Sequence, residues 1–413
     1  MNILIINQPP YNRGDESAHK GLIRSLIKQL PQAKIKVLYP NDFSESIRQY
    51  AVIHPNVKYT RSPIGYITHD VLFWRGLNLE ILNIWKYRPR FCRIKEIYNW
   101  ADYVVCAPGG ICMGGFQDWN HLMHLKLAKA LKKPLIYYGR SFGPFPIETE
   151  RNRAFKRISI EMLNYFSFLS IRDRKTETLA EEFRVPYVTT VDSAFLDSPK
   201  VHIPYELKQN IGDNPYMVFV PNYLLWHYAY KNRISHETVM NFYSQVIDTI
   251  WQCNPDMNIV MLPQLFCGDK YALIDVQFFR ELAESKNDNR IIVTADCYSS
   301  DIQQTIINGA KYVIGARYHS IVFSINQGVP CIALSYEHKI AGLLERLDKS
   351  EWCIDFTQTL DNEENQEKCL SEIRRLIPLM KPDNDIRDRA KQIANNCMEK
   401  FVQWINKNES SFK

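Results

Sequence analysis

The chain has 413 residues, of which 46% are hydrophobic and 23% are charged, and this composition excludes a disordered or fibrous protein. Since domains usually hold about 150 residues, two or three domains are expected. The formal charge of +6 is too dilute over this length to indicate a nucleic-acid-binding protein, because such domains concentrate their positive charge.

The expected location is the cytoplasm. The chain begins MNILIINQPP, without the basic and apolar segments of a secretory signal. The ten cysteines include no C-x-x-C pair, and many lie in or beside apolar runs, which is typical of reduced thiols. No apolar stretch approaches the ~20 residues that span a bilayer. The sequence therefore predicts a reduced, cytoplasmic and soluble protein.

Short apolar runs alternate with amphipathic segments of helical length along the first half of the chain. A continuous apolar run such as 2–6 is typical of a central parallel strand that is buried on both faces. The predicted strands are 2–6, 34–39, 103–106, 135–138, 168–171 and 187–191. The predicted helices are 17–30, 119–131, 150–163 and 175–183.

One interval, 64–100, interrupts this alternation with many aromatic residues. Within it, the stretch 85–95 carries five cations and no acidic residue. Two interpretations stay open for this insertion. It is either a helical segment that packs its rings on the domain, or a surface for an anionic, lipid-linked acceptor, since rings and cations together favour a membrane interface.

The alternation continues through the second half. The predicted strands are 217–220, 259–262, 291–293, 312–314 and 331–334, and the predicted helices are 236–251, 271–284, 301–308, 320–326, 339–347 and 385–404. Strands that alternate with helices through short links indicate right-handed βαβ units. We therefore predict an α/β protein with two Rossmann-like, doubly wound domains that face a cleft.

The expected domain boundaries follow from the linker composition. The stretch 198–214 contains proline and glycine but no apolar periodicity, which is typical of a linker. We predict an N-terminal domain over 1–205 and a C-terminal domain over 206–384. The remaining 385–413 forms a helix that is long enough to pack back on the first domain.

Two loops of the predicted first domain are candidate binding sites, because ligands of open α/β sheets bind beyond the carboxyl ends of strands. Glycine lets the backbone approach a ligand closely, and the start of a helix attracts anions. A helix cap at Asp15 and a structural turn at the glycines stay open as alternatives. The candidates are Asn12, Gly14, Asp15 and Glu16 after strand 2–6, and Gly109 and Gly110 after strand 103–106.

The densest group of candidate residues, Arg317, His319 and Ser320, directly follows strand 312–314. A guanidinium group suits a carboxylate or phosphate, and an imidazole can donate a proton near neutral pH. These residues therefore predict an anionic substrate and acid catalysis. Lys339 adds a cation near the next strand end.

Three other strand ends carry candidates. Arg172 follows strand 168–171, although an arrangement of Arg172 and Asp173 that caps a helix is the alternative. Asp192 follows strand 187–191. Tyr223 and Trp226 lie in the aromatic run 222–228 after strand 217–220, where packing is the alternative.

Taken in chain order, these residues resemble the polysaccharide pyruvyl transferase family. The matching motifs are Asn12-x-Gly14-Asp15-Glu16, Pro108-Gly109-Gly110, Ser170-x-Arg172-Asp173, Asp192, Gly315-x-Arg317-x-His319, Gly328-x-Pro330 and Tyr336-x-x-Lys339. The resemblance implies a fold similar to the GT-B glycosyltransferases. It also implies transfer of a pyruvyl group from phosphoenolpyruvate to two sugar hydroxyls, which gives a cyclic ketal and phosphate in bacterial surface polysaccharide biosynthesis, of exopolysaccharide or capsule.

The resemblance also implies roles for the candidates. The expected catalytic residues are His319 as the acid, Arg317 beside it, and Asp15 or Asp192 as the base. The donor would contact Arg172, Arg317, His319, Ser320 and Lys339. The acceptor would contact Asn12, Gly14, Glu16, Gly109, Gly110, Tyr223 and Trp226.

The expected partners are phosphoenolpyruvate and a sugar acceptor. A lipid-linked oligosaccharide and a polymeric acceptor both stay open, and the first would place the protein at the inner face of the membrane. No nucleic acid is expected, and no cofactor is expected beyond phosphoenolpyruvate as donor substrate. No metal is expected either, because the carboxylates are scattered.

Two competing functions stay open. A nucleotide-sugar glycosyltransferase of the same architecture would use Arg317 and Lys339 to hold a diphosphate. A non-catalytic protein that binds sugars or anions would keep the fold without turnover. The glycosyltransferase would consume a nucleotide sugar instead of phosphoenolpyruvate. The non-catalytic protein would consume no donor.

Overall fold

The computed structural model describes residues 1–8, 12–39, 51–65, 88–110, 112–227, 230–265, 274–294 and 298–411. The chain forms two compact units. The first comprises Met1–Pro10, Ala18–Asp197 and Ile393–Lys413, and the second comprises Tyr11–Ser17 and Ser198–Gln392. The long C-terminal segment changes from the second unit to the first at Ile393, and Ser198 is also the first residue of the predicted linker.

In its described part, the first unit contains one sheet of seven parallel strands in the order β3-β2-β1-β4-β5-β6-β7. The strands are β1 Asn2–Ile6, β2 Lys34–Tyr39, β3 Val57–Arg61, β4 Tyr103–Cys106, β5 Leu135–Tyr137, β6 Phe168–Ile171 and β7 Val188–Thr189. β1 lies between β2 and β4, so that Ile3 is paired with Ile35 on one side and Tyr103 on the other. Every residue of β4 is buried, as expected for a strand that is covered on both faces.

Helices cover both faces of this sheet. They are α1 Arg13–Gln29, α2 Pro89–Trp100, α3 Trp119–Ala130, α4 Glu150–Leu163 and α5 Arg174–Glu182. Side chains at the N-caps fix several starts: Asp118 caps α3, Thr149 caps α4 and Asp173 caps α5. α1 begins four residues before the predicted 17–30, because its first turn is polar and acidic rather than apolar, which suits the positive end of a helix.

The interval 64–100 is described only at its ends. Residues 66–87, including Trp74 and Trp85, lie outside the described residues. In α2, Ile94 and Tyr98 are buried in the core and Phe91 packs against it, whereas Arg90 is exposed. The rings of the described part therefore face inward, as in the packing interpretation.

The second unit contains, among its described residues, a parallel sheet of six strands in the order β10-β9-β8-β11-β12-β13. Its strands are β8 Tyr216–Val220, β9 Asn258–Met261, β10 Ile291–Val293, β11 Val313–Gly315, β12 Cys331–Ser335 and β13 Cys353–Asp355. Its helices are α6 Tyr205–Ile211, α7 His236–Cys253, α8 Ile274–Lys286, α9 Ser300–Asn308, α10 Tyr318–Gln327, α11 His338–Arg346 and α12 Glu363–Leu376. Two doubly wound Rossmann sheets confirm the predicted fold class.

The last helix, α13 Asn384–Ser411, continues from the second unit into the first. Its apolar face joins the core on one side of the first sheet through Cys397, Met398, Phe401, Val402 and Ile405. The Phe401 ring lies 5.5 Å from the ring of Tyr138 and 5.1 Å from that of Phe168. Within the described residues, no helix has both the length and the apolar character that a membrane span requires.

In both sheets the strand order reverses at one point. The reversal lies between β1 and β4 in the first unit and between β8 and β11 in the second. Ligands of doubly wound sheets bind at the carboxyl ends of the strands beside such a reversal. Arg317 directly follows β11, so it lies at this point of the second sheet.

Candidate active site

The predicted site residues divide between the two units. Gly109, Gly110, Arg172 and Asp192 belong to the first unit. Asn12, Gly14, Asp15, Glu16, Tyr223, Trp226, Arg317, His319, Ser320 and Lys339 belong to the second. The side chain of Trp226 lies outside the described part of the structure, so its predicted contact with an acceptor stays a prediction.

Arg317 is held by a carboxylate that the sequence did not point to. It is the N-cap residue of α10, and its Nη2 donates to Oδ1 of Asp275 in the first turn of α8. The Asp275 side chain is fully buried, and its Oδ2 accepts the backbone N–H groups of Gln264 at 3.2 Å and Leu265 at 3.0 Å. Because these bonds satisfy the buried carboxylate, the guanidinium is held in one place at the end of β11.

His319 lies directly against Gly14. A Cβ atom at position 14 would be 1.7 Å from Nδ1 of His319, so the imidazole occupies the space that a side chain at this position would need. The ring also contacts the rings of Tyr318 at 5.0 Å and Phe323 at 6.2 Å. The structure therefore brings together the predicted acid and the glycine of the first motif.

The rest of the first motif is bound to the segment that follows β9. Asn12 forms an antiparallel bridge with Leu265, and the N–H of Arg13 donates to the carbonyl of Gln264 at 3.0 Å. Asn12 also folds back on Asp15: its Nδ2 donates to Oδ2 of Asp15 at 2.5 Å, and its Oδ1 accepts the Asp15 N–H at 2.7 Å. Asp15 is thereby buried and oriented.

Glu16 forms a buried ion pair inside the second unit. Its Oε2 lies 2.6 Å from Nη1 of Arg13, and both side chains are fully buried. Its Oε1 accepts the N–H and the Oγ–H of Ser300, each at 3.1 Å. These bonds fix the start of α1 and account for both carboxylate oxygens. An acceptor contact by Glu16 stays a prediction.

A second charged group follows β12. Nζ of Lys339 lies 3.3 Å from Oε1 of Glu337, which also accepts from the Tyr336 hydroxyl at 3.3 Å. Burial acts to raise the pKa of Glu337, but the Lys339 ammonium and the neighbouring histidines outweigh it and hold the pKa below its usual range. Burial lowers the pKa of His227, whose ring contacts that of Tyr336 at 5.7 Å. These shifts favour the charged carboxylate at Glu337 and the neutral imidazole at His227.

Ser320 and Tyr223 have partners within the second unit. Oγ of Ser320 donates to the carbonyl of Arg317 at 2.6 Å, which tightens the first turn of α10. The Tyr223 hydroxyl lies 3.1 Å from Nδ1 of His236, whose Nε2 lies 2.7 Å from Oε1 of Glu281. Tyr223 is half-buried. Its predicted contact with an acceptor, like the donor contact of Ser320, stays a prediction.

In the first unit, Arg172 pairs with Asp192 rather than with its neighbour Asp173. Nη1 of Arg172 donates to Oδ2 of Asp192, and both side chains are almost fully buried. Oδ1 of Asp192 accepts the N–H of Ala194 at 2.9 Å. Asp173 caps α5 by accepting the N–H of Thr176 at 2.9 Å. The capping alternative therefore holds for Asp173 but not for Arg172.

The glycine loop of the first unit is fixed by a buried arginine, Arg140. Its Nε donates to the carbonyl of Gly110 at 3.1 Å, and its Nη1 donates to that of Ala107 at 2.5 Å. Gly109 forms a parallel bridge with Arg140. The Arg140 guanidinium therefore holds the loop by donating to two of its backbone carbonyls. The predicted roles of Gly109 and Gly110 in acceptor binding stay predictions.

Known proteins resemble this chain along most of its length. The amylovoran biosynthesis protein AmsJ of Erwinia amylovora is 22% identical over 386 residues, which cover 87% of this chain and 89% of AmsJ. A UDP-GlcNAc 2-epimerase of Neisseria meningitidis, solved with bound UDP-GlcNAc, superposes with a TM-score of 0.59 at 10% identity and covers 98% of this chain and 100% of its own. For UGT89C1 of Arabidopsis thaliana the TM-score is 0.53 at 12% identity, with 97% and 98% covered.

The solved structures show the fold, and the sequence match shows the family. The epimerase and UGT89C1 share the GT-B-like fold of this chain, as predicted. Residues 12–338 match the family model of polysaccharide pyruvyl transferase. That range begins at Asn12 and includes Asp275, Arg317 and His319. The chain therefore belongs to the polysaccharide pyruvyl transferase family, which indicates a transferase.

Proposed function

We propose that the protein transfers the pyruvyl group of phosphoenolpyruvate to two hydroxyl groups of a sugar, forms a cyclic ketal and releases phosphate. The observation that carries this proposal is the pairing of His319 with Gly14 beside the anchored Arg317 at the reversal of the second sheet. A proton donor and a fixed cation at such a point suit a small anionic donor.

Arg317 and Lys339 are the proposed ligands of the donor. Phosphoenolpyruvate carries a phosphate and a carboxylate, and both groups accept hydrogen bonds from the five N–H donors of a guanidinium group. Asp275 orients the Arg317 guanidinium, because it accepts a hydrogen bond from Nη2. The N-terminus of α10, where Arg317 is the cap, adds backbone N–H groups that favour an anion. Arg172 stays a predicted donor ligand in the first unit.

The reaction needs one acid and one base. Protonation of the methylene carbon of phosphoenolpyruvate makes a methyl group and leaves an oxocarbenium-like carbon, which a sugar hydroxyl attacks. Loss of phosphate regenerates this electrophile for the second hydroxyl, and the ketal closes. Two hydroxyl protons are released in total; one balances the proton taken up by the methylene carbon and the other leaves with phosphate. No external oxidant or further cofactor is consumed.

His319 is the proposed acid and Asp15 the proposed base. Asp192 accepts from Arg172 and from the Ala194 N–H, so both of its oxygens already serve the fold of the first unit. Asp15 belongs to the same unit as His319, directly beside the glycine that the imidazole contacts. This placement favours Asp15 over Asp192.

The acceptor is proposed to be a sugar of a surface polysaccharide precursor. AmsJ, which matches 87% of this chain, is named for the biosynthesis of amylovoran. The neighbouring UDP-GlcNAc 2-epimerases share only the fold at this level of identity, so a nucleotide sugar is the competing donor to be tested.

The direct test measures phosphate release from phosphoenolpyruvate with a panel of lipid-linked and model galactosides, glucosides and mannosides. We expect release that depends on one acceptor class, with a ketal in the product by mass spectrometry. The same acceptors are offered UDP-sugars and GDP-sugars in parallel. Nucleotide release in place of phosphate release would support the glycosyltransferase, and binding without either release would support the non-catalytic alternative.

Replacement of His319 tests the proposed acid. We expect His319→Ala to lower kcat by about 10²–10⁴-fold, the usual range for a lost acid catalyst, with little change in the KM for phosphoenolpyruvate. The matched control is His202→Ala, which removes an exposed histidine of the same unit. Turnover near that of wild type in His319→Ala at saturating donor would contradict the assignment.

Replacement of Gly14 tests the contact with His319. A methyl group at position 14 must displace the imidazole, so we expect Gly14→Ala to lower kcat at least about tenfold while circular dichroism stays that of wild type, since alanine favours a helix. The control is Gly342→Ala in α11, where an added Cβ meets no atom within 4 Å. Equal activity of the two variants would show that the contact does not position His319.

Asp275 is proposed as a positioning residue that acts through Arg317. We expect Asp275→Asn to raise the KM for phosphoenolpyruvate more than it lowers kcat, by about ten- to a hundredfold, the range for a lost charge-assisted bond. The control is Glu372→Gln, which removes an exposed ion pair with Arg375. Thermal unfolding separates misfolding from loss of donor binding. A folded variant with an unchanged KM would rule out this role.

A further inference from the structure

Two large apolar side chains are exposed on adjoining loops of the first unit. Phe116 is 59% exposed on the loop after β4, and Ile147 is 56% exposed on the loop after β5. The two loops run side by side, because Gly114 forms a parallel bridge with Gly143 and the Gly143 N–H donates to the Met113 carbonyl at 2.9 Å. Both apolar tips therefore lie at the carboxyl edge of the first sheet.

Arginine side chains lie at the same edge. Nη1 of Arg153, in the first turns of α4, donates to the carbonyl of Ile147 at 3.0 Å and so lies beside that tip. In the chain, α2 lies before β4 and α3 lies after it. Their C-terminal ends are close together, because Nζ of Lys133, just after α3, donates to the carbonyl of Ala101, just after α2, at 2.8 Å. The two helices therefore start at the carboxyl edge together. The exposed start of α2 carries Arg88 and Arg90, and Arg93 follows one turn later.

The charge balance of this edge favours an anionic partner. Among the described residues, Arg88, Arg90, Arg93 and Arg153 are exposed there, against the exposed acids Glu148 and Glu150. The rings of α2 belong to the core instead, because Tyr98 is buried and Phe91 and Trp100 pack against the core. Exposed apolar tips that are flanked by arginines match a bilayer interface, where apolar groups enter the acyl boundary and cations meet lipid phosphates.

We propose that the first unit docks on an anionic membrane surface through Arg88, Arg90, Arg93, Phe116, Ile147 and Arg153, hereafter the docking surface. The partner is a bilayer with anionic headgroups, and charge complementarity with apolar insertion supplies the binding. Docking would bring the enzyme to an acceptor that is attached to a membrane lipid. That last step rests on the proposed function, whereas membrane binding itself does not.

The test is co-sedimentation of the full chain with vesicles of phosphatidylcholine alone or with added phosphatidylglycerol, at low and high salt. We expect binding to the anionic vesicles that salt weakens. Arg90→Glu with Arg93→Glu should weaken it by about tenfold or more, and Phe116→Ser with Ile147→Ser should weaken it as well. The control, Lys381→Glu with Lys400→Glu, makes the same change in net charge at other exposed positions and should bind like wild type.

The outcomes separate this inference from the proposed function. Docking would be overturned if wild type bound both kinds of vesicle equally or bound neither. It would also be overturned if the control lost as much binding as the docking-surface variants. All variants should keep wild-type turnover with a water-soluble acceptor glycoside, since the docking surface contains no proposed donor or acid–base residue. Vesicle binding without phosphate release from any acceptor would leave docking supported and refute the proposed function.

Discussion

The second unit depends on one buried carboxylate. Asp275 is fully buried, a state that is costly for a charge unless an opposite charge and hydrogen bonds compensate it, and Arg317 and two backbone N–H groups do so. The same two residues that donate these N–H groups, Gln264 and Leu265, also bond the segment at Asn12 and Arg13. The Asp275 carboxylate therefore connects the cation after β11 to the first motif.

The first motif is explained largely by packing inside that unit. Gly14 leaves room for the His319 ring, Asn12 orients Asp15, and Glu16 joins Arg13 to Ser300. This motif, which resembles a binding loop, therefore fixes the start of α1 and packs it against the His319 imidazole. The same packing positions Asp15 and His319, the proposed base and the proposed acid.

The sequence was sufficient for the elements that the sheets bury completely. β1 and β4 have the predicted bounds, because a strand covered on both faces is a continuous apolar run. β2 also has its predicted bounds, although it is partly exposed and contains two lysines. β3 and β13 were missed because they are short or half-exposed, and α12 because most of its surface is polar. The position of Arg317 and His319 directly after a strand could be predicted, because that strand is an apolar run. Asp275 could not, since its partner lies 42 residues away and only tertiary packing joins them.

The aromatic residues of α2 show why composition alone could not identify an acceptor surface. Rings and cations alternate along 88–100, but the helix turns Ile94 and Tyr98 into the core and leaves the arginines outside. A membrane contact at this edge therefore needs apolar groups from elsewhere, and the loops after β4 and β5 supply them at Phe116 and Ile147. The bridge between Gly114 and Gly143 joins those two loops at their base, so the proposed surface takes its apolar groups from a pair of bonded loops rather than from α2.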